Sequence, residues 1–142
     1  MSLRISTWDT QTKDRPELPD GDWSFGFERY RLDLWGTEAV RAVGAEIIPR
    51  LSSQDLYLGH RDLDALEHEA RMIGDASDAI AAEVFDLADP GNGVVVVEDG
   101  HGGRVHNAFG SGSPADSIHR YIDNLLYAIA FARQAGCGLV IW

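Results

Sequence analysis

Apolar and polar residues alternate along several short segments of this chain, and a period of two is typical of half-buried β-strands. Residues 3–8 alternate in this way and predict a first strand, with Leu3 and Ile5 on its apolar face. Residues 23–35 also alternate, but the phase breaks near Glu28, which indicates two strands separated by a bulge or a short turn. Composition and alternation together predict further strands at 55–59, 94–99, 104–109 and 138–142.

Longer segments repeat their apolar residues every three or four positions, which predicts helices. The first such segment opens at Thr37, a candidate N-cap, and we expect Pro49 to end or disturb it. The second covers 61–89 with an interruption near Asp75, and the third covers 113–134.

The order of these elements predicts an α+β fold, with α/β as the open variant. We expect a single domain over residues 1–142, in which a mixed, mostly antiparallel sheet packs against about three helices. A chain of this length buries roughly two thirds of the surface that its unfolded form exposes. The polar residues 9–22 include two prolines and end in a Pro-Asp-Gly-Asp turn signal, so they are expected to form a loop.

The charge of the chain narrows the choice of partners. The chain contains twelve basic and 23 acidic residues, so its net charge is −11 and its pI is near 4.6. Such a surface repels phosphate backbones and anionic lipids, so neither nucleic acid nor a membrane is an expected partner. A basic protein is the partner that the charge favours, and general solubility is the simpler explanation of the same charge.

Other features of the composition favour a cytoplasmic protein. The first ten residues lack the apolar stretch of a signal peptide, and the longest apolar run, 125–132, is too short to span a bilayer. The single cysteine, Cys137, cannot form an internal disulfide and is expected to be a packed thiol.

The acidic residues are concentrated in one part of the chain. Residues 55–89 contain ten acidic and two basic side chains, which predicts either a solvated helix face or an acidic recognition surface. On the second interpretation, acidic side chains steer a basic partner, and Trp23, if it is exposed, anchors it. The candidate partner-binding residues are Trp23, Asp64, His68, Asp75, Asp78 and Asp86.

Three histidines supply an alternative function. His101, His106 and His119 surround a glycine-rich stretch, and three imidazoles that meet can bind zinc. This arrangement would make a small metal-dependent enzyme, whereas a structural turn explains the same glycines more simply. The chain has no nucleophile-elbow, P-loop or paired-cysteine motif, so neither a catalytic residue nor a cofactor or metal is predicted.

Segments 30–36, 62–73 and 118–142, about a third of the chain, carry a resemblance of general style. In this acidic chain a capped helix leads into a last strand. By this layout the chain resembles the small bacterial immunity proteins of polymorphic toxin systems. The resemblance implies a non-catalytic protein that neutralises a basic toxin, and it assigns no individual residue. The valine-rich and terminal strands also leave a homodimer open.

Overall fold

The computed structural model of the chain describes residues 2–8, 16–85, 94–97, 104–107 and 114–142, with only the backbone of 94–97 and 104–107. Within these ranges the strands are β1 Ser2–Trp8, β2 Ser24–Phe27, β3 Leu56–Leu58, β4 Val94–Val97, β5 Arg104–Asn107 and β6 Gly138–Ile141. The α-helices in the same ranges are α1 Glu38–Ala42, α2 Leu63–Asp75, α3 Ser77–Val84 and α4 Pro114–Ala135. The strands form a four-stranded sheet, in the order β2-β1-β6-β3, and a separate β4-β5 pair.

Every strand pairing in the described residues is antiparallel, which confirms the predicted α+β fold. In the centre of the larger sheet, Ile5 of β1 lies opposite Ile141 of β6. The ladder continues to the last residue, because the backbones of Arg4 and Trp142 exchange hydrogen bonds of 2.8 and 3.1 Å. The chain terminus is therefore part of the sheet.

One face of this sheet, here called the inner face, packs against the helices. Leu3 and Ile5 are buried on it, as the alternation in 3–8 predicts, and Leu139 and Ile141 of β6 join them. Helix α4 contacts β1, β2 and β6, and α2 and α3 pack against α4 in turn. The opposite face, here called the outer face, carries the side chains of the alternate residues of each strand.

The segment that begins at Thr37 is helical over a shorter range than expected. Helix α1 ends at Ala42, and Gly44 adopts a φ of +102°, a left-handed conformation that side chains disfavour and that stops the helix. Pro49 does not end a helix but stands at the start of a 3₁₀ helix, Ile48–Ser52, where its missing N–H costs nothing.

The prediction of a second strand within 23–35 is wrong. After β2 the chain forms a π-helical turn over Arg31–Trp35, in which Leu34 is buried and Leu32 is 67% exposed. Arg31 holds this turn in place. Its guanidinium donates to the carboxylates of Glu28 and Asp55, both at 2.5 Å, and to the Gln54 carbonyl at 2.9 Å.

The remaining helices and strands follow the sequence pattern closely. The helical segment 61–89 divides at Ala76 into α2 and α3, next to the predicted interruption. Helix α4 ends before Gly136, whose φ of +75° fits the C′ position. At Gly138 the backbone of β3 approaches so closely that a Cβ atom would lie 1.9 Å from the Leu58 carbonyl oxygen, so a side chain is excluded.

Candidate protein-binding surface

The exposed side of α2 carries several of the predicted binding residues. Asp64, His68 and Asp75 are exposed at helical spacing, and Asp78 is exposed at the start of α3. Neither Asp75 nor Asp78 forms an ion pair with another residue in the described ranges. Asp86, the remaining acidic candidate, lies outside the described residues.

Arginines neutralise part of this surface. Arg133 of α4 donates to Asp64 at 2.6 Å and to Glu67 at 2.7 Å, and Arg71 donates to Glu67 at 2.9 Å. The hydrogen bonds from Arg133 and then Arg71 hold the pKa of Glu67 below its ordinary value. The network joins α2 to α4, so Asp64 has a structural partner within the chain.

The inner side of α2 contains a carboxylate with a purely structural position. Glu69 is buried, and both of its oxygens accept the backbone N–H of Ile47 at 2.9 Å. One oxygen also accepts the N–H of Ile48 at 3.1 Å, so the carboxylate satisfies donors at the start of the 3₁₀ helix. Part of the acidity of 55–89 therefore supports the fold and is not available to a partner.

Trp23 is half-buried and is held from two sides. Its indole Nε1 donates to the Pro19 carbonyl at 2.7 Å, and its ring lies 5.3 Å from the ring of Tyr127 on α4. Next to Trp23, residues 16–23 run beside β1 and enclose a groove of about 280 Å³. The groove is lined by Arg4, Ile5, Ser6, Thr7, Glu17, Leu18, Pro19, Asp20, Gly21 and Trp23.

The charged side chains of this groove are not paired with one another. Glu17 and Asp20 are exposed on the wall formed by 16–23, and Arg4 is exposed on β1. Across the described part of the chain, none of the three forms an ion pair. The groove thus differs from the part of the α2 surface around Asp64 and Glu67, whose carboxylates are paired with arginines.

The outer face of the larger sheet exposes aromatic side chains. Trp8, which is half-buried, and Tyr57 meet edge to face with their ring centroids 5.3 Å apart, and they belong to β1 and β3, the strands on either side of β6. Tyr57 is 58% exposed and Trp142 is 44% exposed. The alternation in 3–8 and 55–59 already assigns Trp8 and Tyr57 to the face opposite the leucines, whereas Trp142 is more exposed than a buried last strand predicts.

Of the three histidines, only His119 has a described side chain. His101 lies outside the described residues, and His106 lies on β5, where only the backbone is described. His119 is exposed near the start of α4. Within the ranges that the structure describes, no group of three histidine, cysteine or acidic side chains could hold a metal ion, and Cys137 is buried as predicted.

A scan against protein-family models finds no match for this chain, and searches of curated proteins and of solved structures find none either. The resemblance to immunity proteins therefore stays a prediction. No helix in the described ranges has both the length and the apolar character needed to cross a bilayer.

Proposed function

We propose that this chain is a non-catalytic protein-binding domain whose partner is a basic protein. The specific function that we propose is that of an immunity protein, in which the domain covers the active cleft of a toxin and so neutralises the toxin. The observation that carries the proposal is the aromatic outer face of the sheet. Trp8, Tyr57 and Trp142 share this face, and the described helices lie on the other side.

Exposed tryptophan and tyrosine have the properties of binding anchors. Each buries a large apolar area while few rotatable bonds become fixed, which is why these residues dominate the energy of many interfaces. In this chain they stand on a sheet, whose backbone is already ordered, so little conformational entropy is lost on binding. We call this face, with Trp8, Tyr57 and Trp142, the aromatic platform.

The charge of the chain selects the class of partner. A net charge of −11 attracts a basic protein and speeds the encounter, and aromatic rings accept arginine and lysine side chains through cation–π contacts. Exposed acidic residues outside the platform, such as Asp75 and Asp78, contribute to the same attraction. Attraction and anchoring thus favour the same kind of partner.

The test is a capture experiment with matched variants. The tagged full chain is incubated with lysate of its native host at low and at high salt, and retained proteins are identified by mass spectrometry. Tyr57→Ala removes an aromatic ring from the platform. Leu32→Ala, which truncates a side chain that is 67% exposed elsewhere, is the control.

We expect a basic protein at equal stoichiometry that binds wild type and Leu32→Ala, is lost at high salt, and binds Tyr57→Ala at least tenfold more weakly. A captured protein that binds Tyr57→Ala and wild type equally would contradict a role for this face. A partner that is acidic, or binding that is insensitive to salt, would contradict the proposed class of partner.

A further inference from the structure

The groove between β1 and residues 16–23 lies next to the aromatic platform. Arg4 and Ser6 belong to the outer phase of β1 and also line the groove, so part of its lining lies on the face that carries the platform. We propose that this groove binds an arginine or lysine side chain of the basic partner. This inference rests on the proposed function, because it names the partner group that enters the groove.

The chemistry of the lining fits a cation. Glu17 and Asp20 supply carboxylates that no described residue occupies, and Trp23 supplies an indole ring. Carboxylates and an aromatic face are the groups that bind guanidinium and ammonium ions. Arg4 opposes a cation, but the two carboxylates outnumber it and leave the groove with a net negative charge.

The wall of the groove is held in place before any ligand binds. Thr7 Oγ1 donates to the Pro16 carbonyl at 2.8 Å, and Trp23 Nε1 donates to the Pro19 carbonyl at 2.7 Å. At the end of the wall, Asn124 of α4 donates to the Ser24 carbonyl at 2.9 Å. These bonds fix the backbone on both sides of Glu17 and Asp20, so a ligand does not have to order it.

The size of the groove also suits one side chain. Its volume of about 280 Å³ exceeds that of an arginine or lysine side chain and leaves room for bridging water. Because the groove is open and its lining is mostly polar, we expect binding of an isolated cation to be weak. In a complex the same contact gains strength, because the platform holds the partner in position.

The experiment follows the indole N–H signal of Trp23 by NMR in the ¹⁵N-labelled full chain, with the signal assigned from a Trp23→Phe variant. The probes are N-acetyl-arginine amide and N-acetyl-lysine amide, and N-acetyl-glutamine amide is the neutral control. We expect the cationic probes to shift the Trp23 signal in a saturable way and the neutral probe to leave it unchanged.

Charge variants separate a site from a general attraction. The double variant Glu17→Gln with Asp20→Asn is compared with Asp75→Asn with Asp78→Asn, which removes the same charge elsewhere. The groove variant is expected to bind the arginine probe at least about fivefold more weakly, the upper value for one exposed ion pair, and the control to bind it as wild type does. Arg4→Gln removes the opposing cation, and its binding is expected to be tighter.

Two results would overturn the inference. The first is a Trp23 signal that does not move with the cationic probes or moves equally with the neutral one. The second is equal binding by the groove variant and its control. Either result, combined with capture of a basic protein that depends on Tyr57, would leave the proposed function standing, whereas loss of that dependence would remove the proposed function itself.

Discussion

Acidic side chains on α2 and beside β1 belong to the same strongly negative chain, but they differ in what they contact. On α2, Asp64 and Glu67 are held by Arg133, and Glu69 is buried against backbone N–H groups. Beside β1, Glu17 and Asp20 line a groove without an ion pair to any described residue. The density of negative charge along a sequence is therefore a poor guide to which carboxylates a partner can use.

The largest expected effect is at Glu69, the carboxylate most fully used by the fold. Glu69→Ala leaves the N–H groups of Ile47 and Ile48 without their acceptor. Because an unsatisfied buried donor costs about 1–3 kcal/mol, we expect the free energy of unfolding to fall by about 2–4 kcal/mol. Urea denaturation followed by circular dichroism measures this change.

Glu69→Gln is the control for this variant. Its amide retains one carbonyl oxygen, so part of the hydrogen bonding survives. We therefore expect the free energy of unfolding of Glu69→Gln to lie between those of wild type and Glu69→Ala. If Glu69→Ala lost less than about 0.5 kcal/mol, the assigned structural role of this carboxylate would be wrong.

The ion network on α2 is expected to contribute less, because its members are partly exposed. Arg133→Gln removes the donor to Asp64 and Glu67 and is expected to lower Tm by no more than a few degrees. The decrease is expected to shrink as salt is added, since screening weakens exposed ion pairs. A loss as large as that of Glu69→Ala would contradict this ranking.

The same network has a definite pH dependence. The pKa of Glu67 is lower in the folded chain than its ordinary value of 4.5, so the network adds stability above that pH. The contribution is lost as the pH falls through the folded pKa, because a protonated Glu67 no longer attracts Arg133. The difference in urea midpoint between wild type and Arg133→Gln is therefore expected to be largest near about pH 7 and to shrink as the pH falls through the lowered pKa of Glu67.

The contrast between the two regions also explains which parts of the molecule were predictable from sequence. The strands β1 and β3 and the helix α4 follow from local periodicity, β6 follows from its apolar composition, and Gly136 follows from the chemistry of helix ends. The turn Arg31–Trp35 does not follow from local periodicity, because Arg31 is held by Gln54 and Asp55, which lie 23 and 24 positions further along the chain. Local alternation in 23–35 carries no information about that contact.

The candidate binding surfaces were also only partly predictable from local sequence. Alternation within short strands assigns Trp8 and Tyr57 to the outer face, but it predicts neither the exposure of Trp142 nor the grouping of the three aromatic residues on one face. The pairing of Asp64 with Arg133 joins positions 69 apart, and the groove forms only because residues 16–23 return alongside β1. Tertiary structure therefore decides which carboxylates form ion pairs within the chain.

A smaller effect concerns the kinetics of binding to the basic partner, once it is captured. The double variants at Glu17 and Asp20 and at Asp75 and Asp78 remove equal charge, so each is expected to lower the association rate by about two- to threefold. Only the groove variant is expected to raise the dissociation rate, because the proposed contact with the partner involves only its carboxylates. Surface plasmon resonance separates the two rates, and a groove variant that dissociates no faster than the control variant would contradict the proposed contact.

The smallest expected effect is that of metal ions. A three-histidine site would require His101, His106 and His119 to converge, and a metal that binds the folded chain raises its Tm by mass action. The proposed function needs no metal, so zinc or a chelator is expected to change the Tm of wild type and of His119→Ala equally. A full equivalent of zinc in the purified protein, lost in both His106→Ala and His119→Ala, would instead support a metal-dependent enzyme.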